Sequence, residues 1–174
     1  MFDERKRANI ESQELVRWLK RTDTTGWVFA SLTMKQTVWT DRDGYRYPYR
    51  LDRARCTDNM SLFRKRLDTR VLQNSYRKHG RRLGIVPFIE RKDGRYHYHV
   101  GIERPTDREI GKDLEVFERV IRECWEKTPF GWSNNDIRET YSNEWIGYGL
   151  KVQSGTWNEL DVENLYIPRA AKTP

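Results

Sequence analysis

The sequence predicts an α+β domain: a β-α-β-β-α-β antiparallel sheet with helices on one face, followed by an extra C-terminal helix. Three observations carry this. Strand-like runs of alternating or β-branched residues begin at Trp27, Gly84 and Arg95 and recur at 136–141. Apolar residues at helical spacing fill the two long gaps between the runs. Asp93-Gly94 separates the second run from the third, and Asp-Gly between such runs is the strongest short-range hairpin signal. With 174 residues, 13% of them aromatic and seven of them Trp, the chain is long and apolar enough for one ordered domain with its own core.

Residues 8–20 read as a short amphipathic helix, with Ile10, Leu15, Trp18 and Leu19 on one face. Gly26 opens the first strand, Trp27 to Lys35. Residues 38–55, rich in Tyr and Arg, read as a loop or small excursion. A helix is expected over 58–79, capped by Asp58 and burying Met60, Phe63, Leu67, Val71 and Leu72. The hairpin strands 84–90 and 95–102 follow. Thr106-Asp-Arg-Glu109 is a capping box behind Pro105. It should start a helix that carries Ile110, Leu114, Phe117, Val120, Ile121 and Trp125 and ends at Pro129 and Gly131. Residues 136–141 are expected as an edge strand. Ser142 can cap a last helix carrying Trp145, Ile146, Tyr148, Leu150 and Lys151. Residues 153–174 show little pattern, and their end is expected to be mobile. The order from Trp27 is that of ferredoxin-like and RRM-like sheets, whose first and third strands are central.

The formal net charge of +7 suits an acidic partner such as nucleic acid, and charge alone fits a merely soluble basic protein equally well. Charged residues make up 34% of the chain with both signs interspersed, so any basic patch must be formed by folding. Cys56 and Cys124 lie far apart and outside any C-x-x-C pattern, which argues against a disulfide framework and fits a reducing cytoplasm. No apolar run reaches membrane length, and Met-Phe-Asp-Glu-Arg-Lys-Arg at the N-terminus lacks the apolar segment of a secretory signal. The expectation is therefore a cytoplasmic protein. No G-x-x-x-x-G-K-[ST] motif is present, so a fused helicase or ATPase of that type is excluded.

Chemistry concentrates in two places. His97 and His99 are two apart on a strand and so share a face. A two-residue turn at Asp93-Gly94 pairs Lys92 with Arg95, Arg91 with Tyr96 and Glu90 with His97, which puts Glu90 on that face too. Two imidazoles and a carboxylate can hold a divalent cation, Mn²⁺ or Mg²⁺, and leave positions open for water and phosphate. A three-residue loop with a bulge would instead turn Glu90 away, and histidines on a half-exposed strand can simply face solvent. A closed four-ligand zinc site is not visible. The second place is Tyr148-Gly-Leu-Lys151, where a helix would set the phenol beside the ammonium. A cation there favours the phenolate, the form that attacks phosphorus. Aromatic residues at this spacing also pack in cores, and Tyr141 is a competing nucleophile.

Phe29-Ala-Ser-Leu-Thr33, His97-Tyr-His99 and Tyr148-Gly-Leu-Lys151, in that order, resemble the three motifs of the HUH endonuclease superfamily. Among its branches they are most similar to the rolling-circle replication initiators (Rep proteins) of plasmids, phages and small circular DNA viruses. The resemblance covers residues 27–152, with Ser31 in the position of the first Thr of an F-x-T-L-T strand. It implies His97 and His99 as metal ligands, Glu90 as a third from the neighbouring strand, and Tyr148 and Lys151 as the catalytic pair. It also implies nicking of single-stranded DNA or an origin hairpin through a 5′-phosphotyrosine. The freed 3′-hydroxyl would prime synthesis by a host polymerase. The chain departs from some relatives in having one such tyrosine rather than an adjacent pair. No helicase motif is seen within these residues, so the resemblance leads to the expectation of a separate helicase. A single-tyrosine transposase or a mobilisation relaxase would share the chemistry. A non-catalytic RRM-like module that binds single strands would explain the sheet and the charge, but not the ordered histidines, tyrosine and lysine.

Two stretches are candidates for DNA contact. Arg77, Lys78, Arg81 and Arg82 form a basic turn. Arg46, Tyr47, Tyr49 and Arg50 mix cations with aromatics, as surfaces that grip a backbone and stack bases do. Alternatively, Tyr45, Tyr47 and Tyr49 form one face of a strand and pack.

Overall fold

The computed structural model describes residues 26–140 and 156–168, together with Arg17, Arg21, Thr24 and Trp145. The expected helix at 8–20, apart from Arg17, lies outside the described residues. So do Tyr141, Ser142, Tyr148 and Lys151.

Alternation builds the sheet. In β1 (Val28–Thr33) residues Val28, Ala30 and Leu32 are buried, while Phe29, Ser31 and Thr33 point to the opposite face. β1 pairs antiparallel with β5 (Arg95–Ile102), which pairs antiparallel with β4 (Ile85–Lys92). β6 (Asp136–Glu139) joins the free side of β1, and β7 (Thr156–Leu160) the free side of β4. The order is β6-β1-β5-β4-β7. The protein is thus α+β with antiparallel sheets and a few helices, compatible with a ferredoxin-like fold. The histidine strand β5 lies inside the sheet, bonded on both edges.

Helices cover one face. α1 (Arg53–Leu72) buries Cys56, Met60, Phe63, Leu67 and Val71, which recur at three- and four-residue intervals. α4 (Leu114–Glu126) buries Phe117, Val120, Ile121, Cys124 and Trp125. Both contribute to the core that includes Leu32, Ile89, Tyr98 and Val100 of the sheet. Cys56 and Cys124 are free thiols within it. The short α2 (Asn74–His79) and α3 (Glu109–Lys112) flank them.

Three local expectations are corrected. α1 starts at Asp52, whose carboxylate accepts the Arg55 N–H at 2.9 Å, and Asp58 lies within the helix. The capping box at Thr106 does not start the second long helix. Gly111 lies so close to the Pro105 carbonyl that a Cβ would meet it at 2.1 Å. The chain then leaves helical geometry at Asp113, which caps α4 by accepting the Val116 N–H. Finally, of the loop or small excursion read at 38–55, it is the excursion that forms, and residues 53–55 belong to α1. β2 (Thr37–Arg42) and β3 (Tyr45–Arg50) form a separate two-stranded ribbon. It turns at Asp43-Gly44, where both φ angles are positive, at 53° and 78°, as the favoured two-residue hairpin turn requires.

The other face of the sheet is covered by Trp27, Trp145 and Leu160, packed on Val86, Phe88 and Phe29. Gly101 of β5 makes room for Trp145, since a Cβ there would lie 2.0 Å from the indole. No helix among the described residues is long and apolar enough to cross a membrane.

Candidate metal centre

Asp93 and Gly94 have φ angles of 51° and 76°, the conformation of a two-residue hairpin turn. The register follows from it: Lys92 opposes Arg95, Arg91 opposes Tyr96 and Glu90 opposes His97. Glu90, His97 and His99 therefore project from one face, away from the helices. They are the one group of three or more such side chains among the described residues whose ligand atoms converge, all within 4.8 Å of one another. Both histidines turn Nε2 toward the same carboxylate oxygen. His97 Nε2 touches Glu90 Oε2, and His99 Nε2 lies 3.0 Å from it. The two rings meet edge to face with centroids 5.1 Å apart.

A second layer fixes His99. Ser31, directly opposite on β1, places Oγ 3.1 Å from Nδ1. A proton on Nδ1 donated to Ser31 leaves the Nε2 lone pair facing Glu90. Phe29 lies almost parallel to the imidazole, 9° between planes and 5.7 Å between centroids, and Trp145 packs on Phe29 at 5.9 Å. His99 is only 7% exposed. Burial pulls its pKa below the ordinary histidine value, with neighbouring His97 adding to the effect and Glu90 opposing it. The ring is thus held neutral, the state that binds metal. His97 and Glu90 are half-buried, so the group opens outward past His97.

That opening is a cleft of about 1010 Å³. Thr33, Gln36, Thr37, Arg95, His97 and Trp132 line it. The Gln36 side chain acts as a short extra strand. It accepts the Tyr96 N–H at 2.8 Å and donates to the Tyr96 carbonyl at 2.9 Å, which ties the ribbon root to the strand of His97.

No protein-family model matches the chain, and no curated protein or solved structure matches it.

The donor set fits a divalent cation. Two imidazoles and one carboxylate come from paired strands, with a serine orienting one ring and room left beyond His97. Tyr98, between the histidines, faces the opposite side of the sheet. It is fully buried and its hydroxyl donates to Asp161 at 2.8 Å. Burial, with the Asp161 carboxylate, pushes its pKa far up, so it is not a nucleophile for this site.

Of the DNA-contact candidates, Arg46, Tyr47, Tyr49 and Arg50 are exposed on β3. Tyr45, Tyr47 and Tyr49 do share a face, and Tyr49 is anchored on it. It stacks with Phe130 at 5.9 Å and lies under the Arg55 guanidinium at 4.1 Å. Arg77 and Lys78 are exposed on α2, and Arg82 is exposed after it. Arg81 is engaged by both carboxylate oxygens of Asp107, at 2.6 and 2.9 Å. This turn leads into Ile85, five residues or about 17 Å along β4 from Glu90, so the structure does not bring it together with the triad. Sequence reasoning missed Ser31 as the partner of His99, and it missed Gln36 and Trp132. The contact of Ser31 with His99 requires a strand pairing across 68 residues. Trp132 follows no periodic pattern.

Proposed function

We propose that this protein is a metal-dependent endonuclease and strand transferase for single-stranded DNA, of the HUH type, which starts rolling-circle replication of a plasmid, phage or virus. The observation that carries this reading is the convergence of Glu90, His97 and His99 on one point, beside an open cleft, in a basic chain. The ferredoxin-like reading of the sheet, with β1 and β5 central, belongs to the same proposal. Mn²⁺ or Mg²⁺ held by the three side chains would polarise a phosphate and offset the charge that develops on it.

Tyr148 is the nucleophile in this proposal and Lys151 its cation. The phenol gives up its proton, favoured by the neighbouring ammonium. A bond forms from Oη to phosphorus as the bond from phosphorus to the 3′ oxygen breaks, and that oxygen leaves as a hydroxyl after taking a proton. The 5′ phosphate stays on the tyrosine, and attack by a 3′-hydroxyl reverses the step and rejoins a strand. The position of Trp145 is compatible with this role. It lies on the histidine face against Phe29, and the three residues from there to Tyr148 reach at most about 11 Å. Unwinding and synthesis would come from a separate helicase and a host polymerase. A single-tyrosine transposase or mobilisation relaxase would use the same groups on a different DNA.

The test is cleavage of labelled single-stranded DNA drawn from the protein's own replicon, with Mn²⁺. The expected result is a nick that is lost in His97→Ala and His99→Ala while both variants keep their fold. Tight binding without any cleavage across that DNA would favour the non-catalytic single-strand-binding module instead.

A further inference from the structure

We propose that the cleft beside His97 and one face of the β2–β3 ribbon form a continuous track for single-stranded DNA, with Trp132 and Trp39 as its two base-stacking platforms. The choice of DNA as the occupant rests on the nicking reading above; the track itself rests on the following geometry.

Trp132 is 52% exposed and lines the cleft with His97. Its backbone is nonetheless built in. Its N–H donates to the Thr33 carbonyl at 3.1 Å, and its own carbonyl accepts from Asn135 Nδ2 at 2.8 Å. Asn135 Oδ1 in turn accepts the Thr33 N–H at 3.0 Å, and Thr33 is the residue opposite His97. A large aromatic held out to solvent on a fixed backbone, one strand from the metal ligands, has the form of a binding residue rather than a core residue.

The ribbon shows which of its faces continues the path. Thr37 at its root lines the cleft. Residues two apart share a face, and so do directly opposed residues. Thr37, Trp39, Pro48, Arg46 and Arg50 therefore lie together. The reverse face carries Val38 and Tyr49, which turn back to the core and to Phe130. Trp39 is 55% exposed, about 7 Å along the strand from Thr37. The Arg46 guanidinium lies over its ring at 5.4 Å. Asp41 is the acid on this face, and it stands opposite Arg46. Lys35 and Arg95 at the cleft and Arg50 and Arg46 beyond it supply cations along the way. Aromatic rings interleaved with cations grip a single strand without reading its sequence.

The test is fluorescence anisotropy of a labelled single-stranded oligonucleotide of mixed sequence, in EDTA so that binding is read without cleavage. Trp39→Ala and Trp132→Ala should each weaken binding about 10-fold, and Trp39→Phe and Trp132→Phe should restore most of it. An oligonucleotide with an abasic backbone should bind the wild type and both Ala variants alike, because only base stacking has been removed. Unchanged affinity in both Ala variants overturns the track. So does an equal loss on the abasic probe, no binding by the wild type, or tighter binding of the RNA of the same sequence. The covalent-adduct assay separates the two proposals. Stacking losses without any adduct keep the track and remove nicking, whereas an adduct with unchanged affinities does the reverse.

Discussion

His99 is held from three sides. Glu90 faces Nε2, Ser31 meets Nδ1, and Phe29 lies flat against the ring. Each contact removes one freedom: the tautomer, the tilt or the exposure. Ser31 fixes the tilt of the ring, and where its oxygen accepts the Nδ1 proton it leaves Nε2 free for a cation. Ser31→Ala should therefore weaken Mn²⁺ binding by about 10- to 100-fold in calorimetry, the usual cost of losing such an orienting partner, with little change in thermal stability. An unchanged affinity would detach Ser31 from the site. His97 plays a different part, because it is the candidate ligand at the mouth of the cleft. His97→Ala should remove the heat of Mn²⁺ binding while leaving the melting temperature near the wild-type value, because the side chain is half-exposed.

At the scale of elements, the hairpin β4–β5 decides the site, and it was legible. Asp93-Gly94 is local turn chemistry, and once the turn has two residues the register places Glu90 beside His97 without reference to the rest of the chain. The same dipeptide at Asp43-Gly44 makes the ribbon, yet its flanks lack buried alternation, so the sequence there reads as a loop or small excursion. β7 was not legible either, because it joins the sheet edge by backbone pairing with β4. The sequence reading starts α1 at Asp58, six residues too late, because Asp58 also precedes an apolar run at helical spacing; the cap is Asp52. Tertiary packing of Cys56 into the core favours the earlier one. The layer over the histidine face rests on Gly101. Gly101→Ala would drive a methyl into the Trp145 ring, and overpacking of this kind costs about 1–3 kcal/mol. A lowered urea midpoint is expected, together with reduced cleavage, since Trp145 supports Phe29 and Phe29 supports His99.

The whole molecule divides its labour between the two faces of one sheet. The helical face supplies most of the core and the opposite face carries the candidate metal centre, so stability and the proposed activity can be tested separately. Asp68 gives a test on the helical side. It is buried and accepts the Leu83 N–H at 3.0 Å, and burial pushes its pKa up to about 6. An unfolded aspartate titrates near 4. Between about pH 4 and about 6 the folded protein holds a proton that the unfolded chain has lost. The Asp68 contribution is thus fully present below about pH 4 and is lost as pH rises through about 6, a change of about 3 kcal/mol. Urea unfolding across that range should show the decline in the wild type and a flatter profile in Asp68→Asn.

The central claim is that a metal triad on the histidine face, beside the cleft, serves a tyrosine that takes up DNA. The most direct measurement is mass spectrometry of peptides from the protein after reaction with single-stranded replicon DNA and Mn²⁺. The account predicts a nucleotide adduct on the peptide containing Tyr148, absent without Mn²⁺, absent in His99→Ala and absent in Tyr148→Phe. An adduct on Tyr141, or DNA cleaved with no adduct on any tyrosine, would contradict it.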